Sequence, residues 1–344
     1  MPHPLFSIIK SIDKTHQGAG RVAVANLLAV KACKAMITVA VPGTGKTTSL
    51  NWAAAQHPKG EIRMDSITRS GLQGMDKDLS GFAGVLSVAD LGSVDTGYSV
   101  KEATKVIALL THEHRINKRN VSIEVDITDF AGAALSTIQP ASMNRLIGGA
   151  DWESVMQDKI VRYYHLLRPT KIRNDPIEVG AKWGIELNEV SISPKLVNTC
   201  KKQVDSSVQQ WSDSRAVQHW VDFYRASAAL AGRKSVQVAD VNAAHNVLRP
   251  LNLEPYLILR ESLSSDRTFL ADDMCFLTEL ATYGRLDHVR AIKNYRVSTR
   301  TLQRTIDRAA TWLVPGLRGK REHHPSEQAH AVLADAGYHL RPVV

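Results

Sequence analysis

The run Ala40-Val41-Pro42-Gly43-Thr44-Gly45-Lys46-Thr47-Thr48 holds the residues best suited to chemistry in this chain. An apolar strand pattern, Ala35-Met36-Ile37-Thr38-Val39, leads into it, and a helical pattern, Ser49-Leu50-Asn51-Trp52-Ala53-Ala54-Ala55, leads out. Gly43 and Gly45 let the backbone curl so that successive N–H groups face one anion. A helix starting near Lys46 points its positive dipole end at the same charge. The Lys46 ammonium can bridge the β- and γ-phosphates of a nucleoside triphosphate, and the Thr47 hydroxyl can hold Mg²⁺. Pro42, Thr44 and Thr48 complete the turn. Where the common G-x-x-x-x-G-K-[ST] pattern opens with glycine, this chain has Ala40, a small residue at the position that closes the strand.

A second acidic element follows. Gly84-Val85-Leu86-Ser87-Val88-Ala89-Asp90 reads as a buried strand ending in a carboxylate. Such an aspartate can hold the water shell of Mg²⁺ beside Thr47, its plainer alternative being to cap the next turn. A strongly hydrolytic ATPase usually carries a glutamate next, to polarise the attacking water, and here the residue is Leu91. Asp95, Glu124 and Asp126 are the substitutes, unless hydrolysis is slow. The strand pattern at 132–138 runs into Ser136-Thr137-Ile138-Gln139-Pro140, where a polar side chain would orient a water near the γ-phosphate. Gln139 is the first choice and Thr137 the alternate; a polar strand end before a proline turn is the simpler role.

These elements need an α/β frame, and the chain supplies one. Of its 344 residues, 44% are hydrophobic and 22% charged, an ordinary globular composition. The length suits about two or three domains. Residues 1–34 are predicted mostly helical. Strands are expected at 36–40, 61–65, 85–90 and 132–138 in a parallel sheet with crossover helices, one of them at 100–116 with Val106, Leu109 and Leu110 inward. Val121 to Ile127 alternates with strand period and predicts a hairpin before the last strand. Residues 151–182 read as helical up to a turn at Pro176. Three further helices are expected at 194–208, 213–231 and 238–248, then a linker over 252–265. The domains are accordingly a nucleotide-binding core at 1–182, a helical unit at 183–252 and a third unit at 266–344.

The third unit opens with three short helices over 273–312. In the last, Leu302, Ile306 and Ala309 face inward, leaving Arg300, Gln303, Arg304 and Arg308 outside, with Ser298 as N-cap. An Arg/Gln face on the last helix of such a trio suits major-groove insertion. Trp312 to His324 then makes a basic, glycine-containing turn between strand-like flanks, the pattern of a winged helix, which would bring Arg318, Lys320 and Arg321 near phosphates. Winged helices also serve protein contacts. The formal net charge of +9 favours a polyanionic partner. A second basic cluster, His112, His114, Arg115, Lys118 and Arg119, adjoins the expected hairpin, where it could grip a nucleic-acid backbone in a central channel. The histidines lack metal-ligand spacing, and Cys33, Cys200 and Cys275 suggest reduced thiols rather than a disulfide framework. No signal-peptide pattern and no apolar run of ~18 residues is present, so a cytoplasmic location without membrane insertion is expected.

The order of phosphate loop, acidic strand, hairpin, polar strand end before proline and helical unit resembles the AAA+ ATPases. The hairpin placement is similar to the branch containing the minichromosome maintenance (MCM) helicases. Ser136-Thr137-Ile138-Gln139-Pro140 stands where those proteins have a strand ending in Asn-Pro. Arg215-Ala216-Val217-Gln218, the helix end Arg225 to Leu230 and Val236 to Ala244 resemble their lid segments. The resemblance covers about 20–250 and implies a ring or partial ring with ATP and Mg²⁺ at subunit interfaces. It implies that Arg215 is a lid arginine touching the γ-phosphate. A neighbour's arginine finger would be Arg145 or Arg162, with Lys159 a poorer candidate because guanidinium spreads better across phosphoryl oxygens.

Three functions are compatible with this pattern. The first is an ATP-dependent DNA helicase or translocase acting in replication, a homo-oligomer whose brevity suggests a mobile-element or viral origin. The second is an ATP-switched DNA-binding loader or transposition-type regulator with slow hydrolysis, which Leu91 favours. The third is a protein-remodelling ATPase.

Overall fold

The computed structural model describes residues 3–65, 67, 71–91, 97–119, 124–148, 152, 156–171, 173, 175–257, 269–316 and 319–340. Two helices, α1 (Pro4–Thr15) and α2 (Gly20–Lys31), precede strand β1 (Ala35–Ala40), the phosphate-loop turn and α3 (Lys46–Ala55). Then come β2 (Glu61–Met64), the short α4 (Asp76–Leu79), β3 (Val85–Val88) and α5 (Gly97–Glu113). A hairpin of β4 (Ile116–Arg119) and β5 (Glu124–Ile127) leads to β6 (Ala133–Ile138), α6 (Pro140–Ile147) and β7 (Ile160–His165). The sheet has the order β2-β3-β6-β1-β7, and every pairing in it is parallel.

Parallel strands covered on both faces read as mainly apolar runs, and β1, β3, β6 and β7 are buried at each position. The pleat sorts their side chains. Ile37, Val39, Ala134 and Ile138 pack with α5 and the hairpin, whereas Met36 and Leu135 pack with α2 and α3. The hairpin pairs Ile116 with Ile127 through Arg119 with Glu124. It hangs at the N-terminal edge of the sheet, for Gly81 N–H donates to Thr128 O just before β3 begins.

One element differs from expectation. The segment 160–165, read as part of a helical stretch, is strand β7, paired with β1 from Ala35↔Ile160 to Ala40↔His165. Ile160, Val161, Tyr163 and Tyr164 are the β-branched and aromatic residues a buried strand prefers. The interposed Arg162 and His165 imitate a polar helix face, yet both are buried. The described residues from 166 to 186 form no regular element.

The helical unit comprises α7 (Pro194–Gln203), α8 (Asp213–Leu230) and α9 (Val238–Leu248). It shares the core on the α2–α3 face, with Phe223, Ala226, Ala229 and Val247 packed among Val24, Leu27 and Leu28. The short α10 (Glu254–Leu257) ends this part; the remainder of the expected linker lies outside the described residues. The C-terminal unit runs α11 (Phe269–Tyr283), β8 (Leu286–Asp287), α12 (His288–Tyr295), α13 (Thr299–Arg308), β9 (Leu313–Gly316), β10 (Gly319–Pro325) and α14 (Glu327–Asp335). Its strands form an antiparallel sheet in the order β8-β10-β9. Met274, Phe276, Leu277 and Leu280 of α11 are buried, as are Leu302, Ile306 and Ala309, the inward residues that the sequence pattern predicts. No helix among the described residues is long and apolar enough to cross a membrane.

Candidate nucleotide-binding site

The phosphate-loop turn joins the C-terminal end of β1 to the first turn of α3, at the sheet edge where α/β folds bind ligands. Gly43 and Gly45 adopt φ of 78° and 75°, the left-handed region that a side chain resists. Gly45 is the N-cap of α3 and no side chain caps that helix. The first N–H groups of α3 are thereby left for an anion. Thr44 is buried and donates its hydroxyl to Val41 O at 3.0 Å, while Pro42 is exposed and Thr47 and Thr48 are half-buried.

Lys46 lies 3.5 Å from Asp90 Oδ2 across the cleft between β1 and β3. Burial holds the Lys46 ammonium below its ordinary pKa, and the Asp90 charge only partly offsets this. A desolvated cation beside an uncapped helix end is a complement to phosphate. Asp90 follows β3 with a partly exposed carboxylate, suited to the solvated side of a cation. These donors fit a nucleoside triphosphate with Mg²⁺: loop N–H groups and Lys46 for the phosphates, Thr47 and Asp90 for the metal.

Strand β6 lies between β1 and β3, so its end falls between the loop and Asp90. Gln139 is exposed one residue beyond the Val39↔Ile138 pair, at the mouth of the loop. Thr137 is fully buried and donates its hydroxyl to Ala89 O, tying β6 to the residue before Asp90. The alternate water-orienting residue is therefore occupied in holding the strand ends together. Leu91 is fully buried in the core. Glu124 and Asp126 are exposed on the hairpin, at the opposite sheet edge, where they pair with Arg119 at 3.4 Å and Arg115 at 4.0 Å. Neither can activate water at this chain's own loop. Asp95 lies outside the described residues.

The cationic partners implied by resemblance are redistributed. Arg215 donates to His112 Nε2 at 3.0 Å and to Gln218 Oε1 at 2.6 Å. His112 is in the last turn of α5, which descends from the loop edge to the opposite one, so Arg215 stands roughly a strand length, ~20 Å, from the loop. Its expected contact with the γ-phosphate does not form within one chain. Burial, with Arg215 beside it, keeps His112 below its ordinary pKa. Arg162 is a second correction. It is fully buried in β7, where its guanidinium pairs with Glu254 and its Nη1 donates to Gln157 O and Ile160 O. It cannot reach another subunit's nucleotide. Lys159 is bound to Glu113 at 2.8 Å. Arg145 remains exposed on α6, directly after Gln139, with Nη2 3.2 Å from Ser142 Oγ.

Two residues that the sequence reading passed over hold the loop from outside. His165, the last residue of β7, faces Thr44 O through Nε2 at 3.0 Å, and burial pushes its imidazole down to about 4. Arg168 reaches Pro42 O at 3.5 Å. Their signal was the aromatic, β-branched run at 160–165, which would have placed position 165 at the loop edge.

In the C-terminal unit Arg300, Gln303, Arg304 and Arg308 are exposed on one side of α13, and Ser298 Oγ accepts from Thr301 N at 3.1 Å as the N-cap. Gln303 also donates to Asp307 at 2.8 Å. Arg321 is exposed on β10, which carries the backbone of Lys320; Arg318 lies outside the described residues. On the hairpin, Arg115 and Arg119 are exposed and Lys118 half-buried.

No protein-family model matches the chain, and no curated protein matches it. Among solved structures it is similar to a full-length MCM homolog from Methanopyrus kandleri, with a TM-score of 0.45 and 11% identity. The match covers 72% of this chain and 58% of that one, so the chain spans less than two thirds of that structure's length. A likeness at that level carries no functional argument.

Proposed function

We propose that the chain is an AAA+-type ATPase that works on DNA, an MCM-like helicase or translocase with a C-terminal winged helix. The observation that carries this reading is the meeting of the uncapped α3 end, Lys46 and Asp90 at one sheet edge, with Gln139 between them. When bound, Mg²⁺–ATP supplies the phosphoanhydride whose cleavage drives the cycle. The loop N–H groups and Lys46 neutralise the phosphate oxygens. Thr47 and Asp90 hold the metal and its water. Gln139 orients a water from the solvent side of the loop. Arg145, exposed on the helix that follows Gln139, is the finger offered to a second copy's nucleotide in a ring or filament. The basic face of α13, with Arg321 and the neighbouring turn, anchors DNA through phosphates and base edges.

The buried Leu91 and the remoteness of Glu124 and Asp126 favour a second reading, a slowly hydrolysing ATP-dependent DNA loader or regulator. Strand displacement on forked DNA separates the two. The motor predicts ATP-dependent unwinding that Lys46→Ala abolishes. The switch predicts ATP-dependent DNA binding with weak turnover and no unwinding. Absence of ATP binding by the wild-type chain refutes both.

A further inference from the structure

A phosphate loop turns its N–H groups inward, so its carbonyls face outward and need partners of their own. Here the segment just after β7 meets two of them. The His165 ring lies 3.0 Å from Thr44 O, and Arg168 Nη1 lies 3.5 Å from Pro42 O. The same Arg168 Nη1 donates to Asn294 O, in the last turn of α12, at 3.1 Å. Its guanidinium carbon sits 5.4 Å from the centre of the Tyr295 ring, and its backbone N–H donates to Thr282 Oγ1 of α11 at 3.0 Å. One side chain therefore touches both the phosphate loop and the helix that immediately precedes α13.

The contact is built into a firm surround. Asn294 and Tyr295 are fixed by Glu279, fully buried in α11, which accepts from Asn294 Nδ2 at 2.8 Å and from Tyr295 Oη at 3.3 Å. Nearby, Tyr338 Oη accepts from Leu166 N at 3.2 Å and donates to Tyr164 O at 3.3 Å, pinning the C-terminal unit to the end of β7. On the other flank of the loop Arg21, at the start of α2, donates to Gly337 O at 2.9 Å. A shift of α12 would disturb Arg168 and, through it, the contact with the Pro42 carbonyl.

We propose that Arg168 is a positioning residue that links the two ligand sites: it sets the phosphate loop according to how the C-terminal unit is seated, so that nucleotide and DNA affinities depend on each other. This rests on the nucleotide and DNA reading given above. Coupling of this kind is reciprocal, since each ligand must alter the other's affinity by the same factor.

The test measures binding of a fluorescent ATP analogue with Mg²⁺ to the full chain, with and without saturating short duplex DNA, in wild type, Arg168→Ala and Arg168→Lys. The wild-type affinity should change about fivefold or more on adding duplex, the lower end of ordinary allosteric coupling. Arg168→Ala should bring that ratio to about one while still binding both ligands, because the coupling and not either site is removed. Arg168→Lys, which keeps the charge but loses the flat guanidinium that lies against the Tyr295 ring, should fall between. Tyr295→Leu, which removes the aromatic seat without touching the loop, should also lower the ratio. Equal ratios in wild type and Arg168→Ala, or a wild-type ratio of one with both ligands bound, overturn the inference and leave the nucleotide site standing. Wild type that binds no nucleotide overturns the reading beneath it instead.

Discussion

Replacing Arg162 separates a structural role from a catalytic one. Its Nε donates to the two Glu254 oxygens at 2.8 and 3.1 Å, and Nη2 adds a contact to Oε1 at 2.5 Å. Gln209 Nε2 and Tyr164 Oη complete the carboxylate shell at 2.9 and 3.1 Å. Arg162 is 0% exposed and Glu254 1%, so neither charge has water to fall back on. In Arg162→Ala the Glu254 carboxylate keeps two neutral donors and loses its counter-charge, a change that costs about 3–5 kcal/mol when buried pairs are broken. Against a typical total of roughly 5–15 kcal/mol, this places the variant near the limit of folding. The double variant Arg162→Met/Glu254→Leu removes both charges and should recover most of the loss, because burying the pair was itself costly. Urea unfolding followed by tryptophan fluorescence reads the effect, since Trp152 stacks 5.1 Å from the guanidinium. An Arg162→Ala chain as stable as wild type, with ATPase lost but restored on mixing with Lys46→Ala chains, would refute the structural assignment and return Arg162 to the role of a finger acting between subunits.

Lys46→Ala should lower ATP turnover by about 10²–10³-fold, the usual cost of removing one charged or hydrogen-bonding donor from a transition state, as read by steady-state phosphate release. Asp90→Asn should retain nucleotide binding and lose Mg²⁺-dependent turnover; undiminished turnover would remove Asp90 from the metal site. Arg304→Ala/Arg308→Ala should weaken duplex binding and reduce the slope of log affinity against log salt by about one for each phosphate contact removed. The His165 imidazole is held at about 4 in the folded chain. Its unfolded counterpart titrates near 6.5, so the unfolded state alone gains this proton between those values. Stability is complete above about pH 6.5 and declines as the pH falls towards 4, by on the order of 3 kcal/mol for this group. His219, also depressed by burial, acts in the same direction. His165→Gln, which can still donate to Thr44 O, should flatten that decline in urea midpoints measured at about pH 7 and about pH 5.

The loop, the acidic strand and the inward residues of α13 were legible because local physics decides them. Positive φ selects glycine at 43 and 45, a buried parallel strand reads as an apolar run, and a helix packed on one side repeats its apolar positions. Strand β7 was not legible as such, because its Arg162 and His165 are satisfied by partners far away in sequence, Glu254 and Thr44. A polar residue whose burial is compensated at long range looks locally like a solvated one. Arg215, only half-buried, is a different case. Its helix was placed correctly, but which sheet edge the helix starts from depends on the packing of α8 against α2, which no local pattern encodes.

The sheet therefore divides the candidate chemistry by edge. Lys46, Thr47, Asp90 and Gln139 share the C-terminal edge, while Arg215, Glu124 and Asp126 belong to the N-terminal one. A chain acting alone brings to its own loop the groups proposed to hold a nucleotide and its metal, and keeps these further charged groups a strand length away. If Arg215 meets a phosphate, it is that of another copy, the role proposed for the exposed Arg145 on α6. On the proposed reading, binding is thus a property of one chain and efficient hydrolysis a property of an assembly. The fully buried Leu91 is consistent with that division: a carboxylate at position 91 would sit in the apolar core against the cost of desolvation rather than beside the attacking water.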